Sequence, residues 1–270
     1  MTALVKLLFL AASLSPAATL LAWDGALAWP LFGDVTLLFD LAPLSAFFLL
    51  LVALGAPLAA IPMLREDQGW PTYALYALLM ASMVGMALTG DLFNLFVFME
   101  ICAIASCALI SIKETRDCLA ASFQYLILSA MGTGCYLLAA ALIYMVTGHL
   151  NFTLIAEAMP AAIESYPNNI LAAAALMVAA FGVKGALFPL HVWLPDAHSA
   201  APSPSSAVLS GVVIKVYAFA LMLLLYTVFP RPLLESIPIT EIVLWLATLG
   251  VILGSIFAMV QEDVKKMLAY

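Results

Sequence analysis

The chain has 270 residues, of which 66% are hydrophobic and only 9% are charged, and its mean hydropathy is +1.14. Soluble domains carry about 25% charged residues, so this composition excludes a water-soluble fold and predicts an all-α polytopic membrane protein. The net charge of −7, without a basic patch, excludes a role in binding nucleic acid.

Long apolar stretches define the predicted membrane spans. A span needs about 20 apolar residues to cross roughly 30 Å of hydrocarbon. Eight segments are long enough, and a ninth helix is predicted to begin near Asp263. The predicted spans are 3–23, 40–64, 71–90, 92–112, 118–147, 169–190, 204–229 and 241–260. The first of them also has features of a signal peptide, but its apolar run continues through Trp23 and favours a retained span.

The basic residues predict the orientation of these spans. With the N-terminus in the cytoplasm, only Arg231 would lie on the opposite side, as the positive-inside rule requires. The cytoplasmic side would then carry Lys6, Arg65, Lys113, Arg116, Lys265 and Lys266. A topology with the N-terminus outside would place most of the basic residues on the outer side, against the positive-inside rule, and is rejected.

Two connections are expected on the outer side. Turn residues and short alternating stretches between the first two spans predict a small β-hairpin. Residues 148–168 are polar and acidic and predict a loop. We therefore divide the chain into 1–39, an N-terminal transmembrane helix with the outer hairpin, and 40–270, a transmembrane core.

The four cysteines give no sign of a metal site or a disulfide. They lie in or beside predicted spans and lack a CxxC or Cys/His spacing. They are Cys102, Cys107, Cys118 and Cys135. We expect no metal and no cofactor.

Three ionisable residues lie inside otherwise uncharged spans: Glu100, Lys184 and Lys215. A charge at the bilayer centre costs about 2.5–3.5 kcal/mol on insertion scales, so we expect the three to face each other or a hydrated cavity. One interpretation is an ion pair that only locks two helices together. The second lysine favours proton transfer instead, because a structural pair needs only one partner.

The segment 181–204 predicts a broken helix beside one of these lysines. Gly182 and Gly185 flank Lys184, where they thin the helix and allow backbone or water to approach. Pro189 then removes a helical hydrogen bond. Breaks at membrane depth are tolerated where protein or water satisfies the freed groups, so the break is interpreted as a proton entrance.

Three titratable residues follow the break, namely His191, Asp196 and His198. Histidine titrates near neutral pH, so these side chains are candidate proton relays between the cytoplasm and Lys184. The alternative for each histidine is an interfacial side chain that bonds a loop carbonyl. For His191 the two interpretations are even, and for His198 the relay is favoured. Small and hydroxyl residues at 129–134 predict a close helix contact.

Three stretches carry a resemblance to a known family: "TGDLFNLFVFMEICAIAS", "FGVKGALFPLHVWLPDAHSAAPSPSSAVLSGVVIK" and the terminal "DVKKMLAY". They closely resemble the proton-conducting antiporter-like membrane subunits. This family includes the D-type subunits of multisubunit cation/proton antiporters, related subunits of membrane-bound hydrogenases and the large membrane subunits of respiratory complex I. "TGDLFNLFVFMEI" is most similar to the D-type antiporter and hydrogenase group, which we favour over complex I.

The resemblance implies an antiporter-like fold that moves protons, with or without exchange for sodium, among partner membrane subunits of the cell membrane. Glu100 is similar to the family's glutamate of the fifth helix, Lys184 to the lysine of the broken seventh helix, and Lys215 to the central lysine of the eighth. His198 falls in the inner loop before that helix. Any oxidoreductase activity is expected to belong to partner subunits.

The chain also departs from the family pattern. Family members usually carry one more helix before this N-terminus and continue through several helices after the last motif. We therefore expect a fragment or a short homologue that contains the entrance half of the channel. Two other function classes are weighed: a subunit that itself binds and reduces quinone, and a purely structural membrane subunit.

Overall fold

The computed structural model of the protein describes residues 2–22, 26–32, 35–40, 43–65, 69–229 and 239–270. Two strands, β1 (Ala26–Phe32) and β2 (Val35–Asp40), lie between the first two helices. The helices are α1 (Thr2–Ala22), α2 (Pro43–Arg65), α3 (Trp70–Leu88), α4 (Leu92–Ser111), α5 (Arg116–Thr147), α6 (Phe152–Ser165), α7 (Pro167–Lys184), α8 (Leu194–Ala200), α9 (Ser203–Val208), α10 (Ile214–Thr227), α11 (Ile239–Val260) and α12 (Val264–Ala269). A π-helical segment, Leu209–Val213, joins α9 to α10.

Within these ranges, eight helical segments are long and apolar enough to cross a membrane. They coincide with the eight predicted spans, and α5 forms one continuous helix of 32 residues. Spanning segments must satisfy their backbone hydrogen bonds internally, which is why such apolar runs become helices. The protein is a multi-pass membrane protein.

The first helix is packed into the bundle. Its Phe9 is buried, with ring centroids 4.8 Å from Tyr73 and 5.0 Å from Tyr76 of α3. Lys6 donates to the carbonyl of Leu64 at the end of α2. These contacts place α1 against both α2 and α3.

The two strands form an antiparallel hairpin in which Ala26 pairs with Asp40. A further bridge joins Phe39 to Thr89, just before α4, and another joins Asp91 to Asn151, just before α6. The hairpin and the starts of α4 and α6 therefore share one end of the bundle.

Polar side chains cap the helices at their first turns. Asp91 accepts from the backbone amides of Phe93 and Asn94 at the start of α4. Thr115, Asn151 and Asp263 accept in the same way at the starts of α5, α6 and α12. Such caps satisfy amides that have no partner inside the helix.

The predicted outer loop at 148–168 is wrong in part, because most of it is the helix α6. Apolar residues recur there at helical spacing, and Phe152, Ile155, Met159 and Ala162 are buried on one face. The acidic residues of this segment lie on the other faces of the helix and obscured its periodicity.

The opposite end of the bundle gathers basic residues. Lys113 and Lys266 line one cavity there, and Lys265 is close enough to Lys113 for the two charges to interact. Arg231, the single basic residue predicted for the other side, lies outside the described residues.

The segment 129–134 was predicted to pack closely against another helix, and the structure confirms this for Gly132 but not for Gly134. A Cβ built on Gly132 would lie 3.2 Å from the carbonyl oxygen of Ala180 and 3.3 Å from Val183 on α7. Gly134 has no atom within 4 Å of such a Cβ. The contact between α5 and α7 is therefore made through Gly132.

Candidate functional site

An acid and an amine from two different helices meet inside the bundle. The Nζ of Lys184, the last residue of α7, lies 3.4 Å from Oε1 of Glu100 on α4. Only 1% of the Lys184 side chain is accessible, against 35% of the Glu100 side chain. The structure thus brings together two of the three charges that the sequence placed inside spans.

A threonine completes the surroundings of the carboxylate. Thr133 of α5 is buried, and its Oγ1 donates to the same Oε1 of Glu100 over 2.5 Å. The sequence pointed to Thr133 only as a small residue for close helix packing. Its contact with Glu100 depends on how α4 and α5 are rotated against each other, which sequence periodicity does not reveal.

The predicted helix break sets the position of Lys184. Helix α7 ends at Lys184, and the chain turns before α8 begins at Leu194. A proline ring clashes with the carbonyl four residues earlier, which for Pro189 is that of Gly185. The helix already ends before that point, because Ala186 takes a left-handed φ of 54° and the amide of Leu187 donates to the carbonyl of Gly182, which leaves the lysine at the last helical position.

The side chain of Trp193 contacts the broken end of α7. Nε1 of Trp193 donates over 2.9 Å to the carbonyl of Val183, which also accepts from the backbone amide of Ala186. The Trp193 ring lies 4.8 Å from that of Tyr125 on α5. Sequence reasoning missed Trp193, although its place shortly after the break was a usable signal.

Aromatic and small polar groups surround the amine. Lys184 Nζ lies 5.7 Å from the ring centroid of Tyr217 on α10, a distance at which a cation is attracted to the ring. The thiol of Cys102 is buried and lies close enough to Lys184 to interact with the amine. Cys102 in turn interacts with Ser82 and Ser106. The pair therefore borders a group of buried polar side chains.

Lys215 is not part of this pair. It lies at the start of α10 on an exposed face, and its Nζ donates to the carbonyl of Ser210 in the π-helical segment over 2.6 Å. Tyr217, two residues further on, is the residue of α10 that approaches Lys184. Because α10 is helical, positions two residues apart point in different directions.

His198 lies between Lys215 and the basic end of the bundle. It is buried, and its Nδ1 lies 3.0 Å from Oγ of Ser206. A cavity of about 320 Å³ is lined by His198, Ser206, Ser210 and Lys265, among others. Burial, together with the nearby positive charges of Lys215 and Lys265, lowers the pKa of His198 to about 4.

The three predicted relay residues do not form a cluster, because each lines a different cavity. His191 lines one beside α11, where burial lowers its pKa. Asp196 lines the cavity of about 520 Å³ that also contains Lys113. Its carboxylate pairs with Lys266 over 2.7 Å, and this hydrogen bond raises the pKa of Lys266.

Comparison with known proteins agrees with this architecture. Residues 89–270 match the family described as "NADH:quinone oxidoreductase/Mrp antiporter, TM". NADH-quinone oxidoreductase subunit N of Desulforudis audaxviator is 41% identical over 249 residues, which are 90% of this chain and 48% of that protein. The D-type subunit of the Na(+)/H(+) antiporter of Alkalihalophilus pseudofirmus is 34% identical over 205 residues, 76% of this chain and 41% of that protein.

A solved structure shows the same fold over the whole chain. A subunit of the archaeal membrane-bound sulfane sulfur reductase superposes with a TM-score of 0.81 at 30% identity, covering 100% of this chain and 55% of that one. The chain spans about half the length of the curated relatives it matches. The sequence match, the fold and the buried pair of Glu100 and Lys184 together show that this chain belongs to the NADH:quinone oxidoreductase/Mrp antiporter transmembrane family.

Proposed function

We propose that this chain forms part of a proton-translocating membrane subunit, with or without exchange for a cation such as sodium. The observation that carries the proposal is the ion pair between Glu100 and the almost fully buried Lys184 at a helix break. A lysine inside a membrane is costly unless it is paired or hydrated. The same cost makes it ready to release its proton when its partner is neutralised or moves.

The pair has the parts that proton transfer requires. Glu100 and Lys184 can share a proton between an acid and an amine within 3.4 Å. The break beside Lys184 interrupts the helix where backbone groups accept side-chain donors, as in the bond from Trp193 to Val183. We assign to Glu100 and Lys184 the role of carrying the proton, and to Pro189 the role of ending the helix next to it.

Lys215 is proposed as the next proton carrier, reached through His198. The cavity lined by His198 and Ser206 extends to Ser210, whose carbonyl accepts from Lys215. The imidazole, neutral at pH 7, accepts a proton from the basic end of the bundle and passes it on. His191 and Asp196 line other cavities, and we propose them as alternative points of entrance.

The assembly and its membrane are also part of the proposal. We propose that the chain resides in the plasma membrane with its N-terminus and its basic end in the cytoplasm, following the positive-inside rule. Partner membrane subunits are proposed because the relatives are named as subunits of larger enzymes and antiporters. The proposed site lies within the transmembrane core 40–270, and 1–39 is proposed as the N-terminal transmembrane helix with the outer hairpin.

Two assemblies suit this function. The sequence motifs favour the D-type antiporter or hydrogenase group. The 41% identity to an NADH-quinone oxidoreductase subunit N favours the proton-pumping membrane arm of such an enzyme. Affinity purification of the native complex, followed by mass spectrometry of its subunits, separates the two. Small antiporter subunits or a nickel–iron hydrogenase subunit indicate the first assembly, and a flavin subunit indicates the second.

The test of proton translocation is Lys184→Ala in the full-length protein, in its native assembly reconstituted into liposomes. A potassium diffusion potential drives proton uptake, which an internal pH-sensitive dye reports without need of the coupled reaction. We expect uptake to be abolished while the assembly remains intact. Lys6→Ala, far from the pair on α1, is the matched control and keeps the native rate. Unchanged uptake in Lys184→Ala would overturn the proposal.

A further inference from the structure

The carboxylate of Glu100 is held more closely by a neutral side chain than by its counter-ion. Thr133 Oγ1 lies 2.5 Å from Oε1 of Glu100, and Lys184 Nζ lies 3.4 Å from the same oxygen. Charge-assisted bonds are about 2.5–2.7 Å for a hydroxyl and about 2.7–2.9 Å for an ammonium. The threonine contact is within the length range of such a bond, whereas the lysine contact is longer than the range for an ammonium.

The hydroxyl also has a second acceptor at hand. Thr133 Oγ1 lies 3.0 Å from the carbonyl of Ser129, one turn earlier on α5. A hydroxyl carries a single proton and can donate to one acceptor at a time. The hydroxyl can therefore donate to the carboxylate while Glu100 is ionised, and to the carbonyl of Ser129 once Glu100 is protonated or turns away. Neither state leaves a buried donor without a partner.

The position of this hydroxyl relative to the lysine is fixed by the backbone. Gly132 packs on the carbonyl of Ala180 and on Val183, directly before Lys184. Thr133 is therefore locked in register with the end of α7, while Glu100 approaches from the third helix, α4. A hydroxyl in a fixed place can define where the carboxylate is held.

Other ionisable groups face the pair from the neighbouring helices. Tyr217 comes from α10 and Cys102 from α4 itself. Tyr125 of α5 faces Cys102, and α3 presents Ser82 to it, a group that does not titrate near neutral pH. Replacing Thr133 alters none of these side chains. A change in the pH dependence of proton uptake would therefore be due to the lost hydroxyl.

We propose that Thr133 is a positioning residue for Glu100. Its hydroxyl, which has two acceptors within reach, holds the ionised Glu100 against Lys184 and releases it on protonation. The hydroxyl thereby sets the pH at which the pair exchanges its proton. This inference rests on the proposed function of the pair. It assigns Thr133 a role in proton exchange beyond the helix packing that the sequence indicated.

The test compares Thr133→Val, which keeps the shape and removes the donor, with Thr133→Ser, which keeps the donor. Hydrogen bonds to charged groups contribute enough to change an equilibrium about tenfold. We expect Thr133→Val to slow proton uptake about tenfold at neutral pH. We also expect the acid limb of its pH–rate profile to move up by about one unit, because a carboxylate without its donor binds a proton more readily. Thr133→Ser restores both.

A control and a direct signature complete the design. Thr147→Val removes a hydroxyl from the far end of the same helix, where it donates to the carbonyl of Ile143, and leaves uptake unchanged. Infrared difference spectra, with Glu100→Gln to identify the band, show the Glu100 carboxylate stretch shifted in Thr133→Val and native in Thr133→Ser. If Thr133→Val fails to assemble, Thr133→Ala provides the same comparison.

The outcomes separate this inference from the proposed function. A native rate, pH profile and carboxylate band in Thr133→Val or Thr133→Ala, with uptake abolished in Lys184→Ala, would overturn the role of Thr133 and leave the function standing. Unchanged uptake in Lys184→Ala would overturn the function itself. In that case the infrared band still shows whether Thr133 holds the carboxylate.

Discussion

Lys184 and Glu100 form an ion pair over 3.4 Å in which the amine is almost completely enclosed and the acid is not, with 1% and 35% of their side chains accessible. Any proton that reaches or leaves the amine therefore has to pass by its partner Glu100 or by the buried polar groups around Cys102. An enclosed charge with a partly open counter-ion suits proton transfer better than a fully buried lock, in which both charges would be enclosed.

The first prediction separates transport from structure at this pair. Glu100→Gln leaves the lysine without a counter-charge and destabilises the protein, by less than the roughly 3–5 kcal/mol of a fully buried pair because the acid is partly open. Glu100→Gln combined with Lys184→Met removes both charges and recovers most of the stability. Tm in detergent measures the two stabilities. Dye-reported proton uptake measures transport, and we expect neither variant to move protons.

The opposite pattern would support the purely structural alternative. If the double variant conducts protons at the native rate, the pair is only a lock. Glu100→Gln would then impair folding more than it impairs transport.

The second prediction concerns pH and His198. Its folded-state pKa of about 4 lies below the ordinary 6.5, so folding favours the neutral imidazole. The free energy of unfolding is therefore not reduced by His198 above pH 6.5. It decreases as the pH falls towards 4, by at most about 3 kcal/mol, because the unfolded chain binds the proton more readily. Tm should fall more steeply between pH 7 and 5 in the native protein than in His198→Gln. His149→Gln, on an exposed loop, serves as the control and keeps the native slope.

Equal slopes in the native protein and in His198→Gln would show that the imidazole is not held neutral by burial. The relay through the cavity of His198 would then lose its main support. Proton uptake by His198→Gln at pH 7 measures the relay directly, and we expect it to be slower than native.

The third prediction uses two neighbouring glycines on α5. Gly132→Leu forces a side chain against the backbone of Ala180 and should destabilise the protein by about 1–3 kcal/mol. Gly134→Leu meets open space and should be neutral or slightly stabilising, because leucine favours helix more than glycine does. Thermal unfolding in one detergent compares the two, and similar losses would contradict the close contact between α5 and α7.

Several elements of the fold could be predicted from the sequence because their causes are local. The spans follow from runs of apolar residues, and the presence of Pro189 excludes an unbroken helix through this segment, although the helix ends at a left-handed turn at Ala186 before the proline is reached. The helix α6 was missed, although its buried residues show helical periodicity, because its acidic residues suggested a loop. The site was predicted in part: the sequence singled out Glu100, Lys184 and Lys215 as charges expected to face each other or a cavity, and the structure pairs Glu100 with Lys184 but not with Lys215.

The sequence by itself determined that this protein lives in a membrane, which of its described segments are long and apolar enough to cross it, and which rare charges have to be paired there. These follow from the free energy of transfer, which adds up residue by residue along the chain. The tertiary structure decided that Lys184 meets Glu100 and Thr133, that Tyr217 rather than Lys215 approaches it from α10, and that His198, His191 and Asp196 line separate cavities. Those relationships depend on the rotation and register of packed helices, which are set by contacts such as that of Gly132 with Ala180 between residues far apart in the chain.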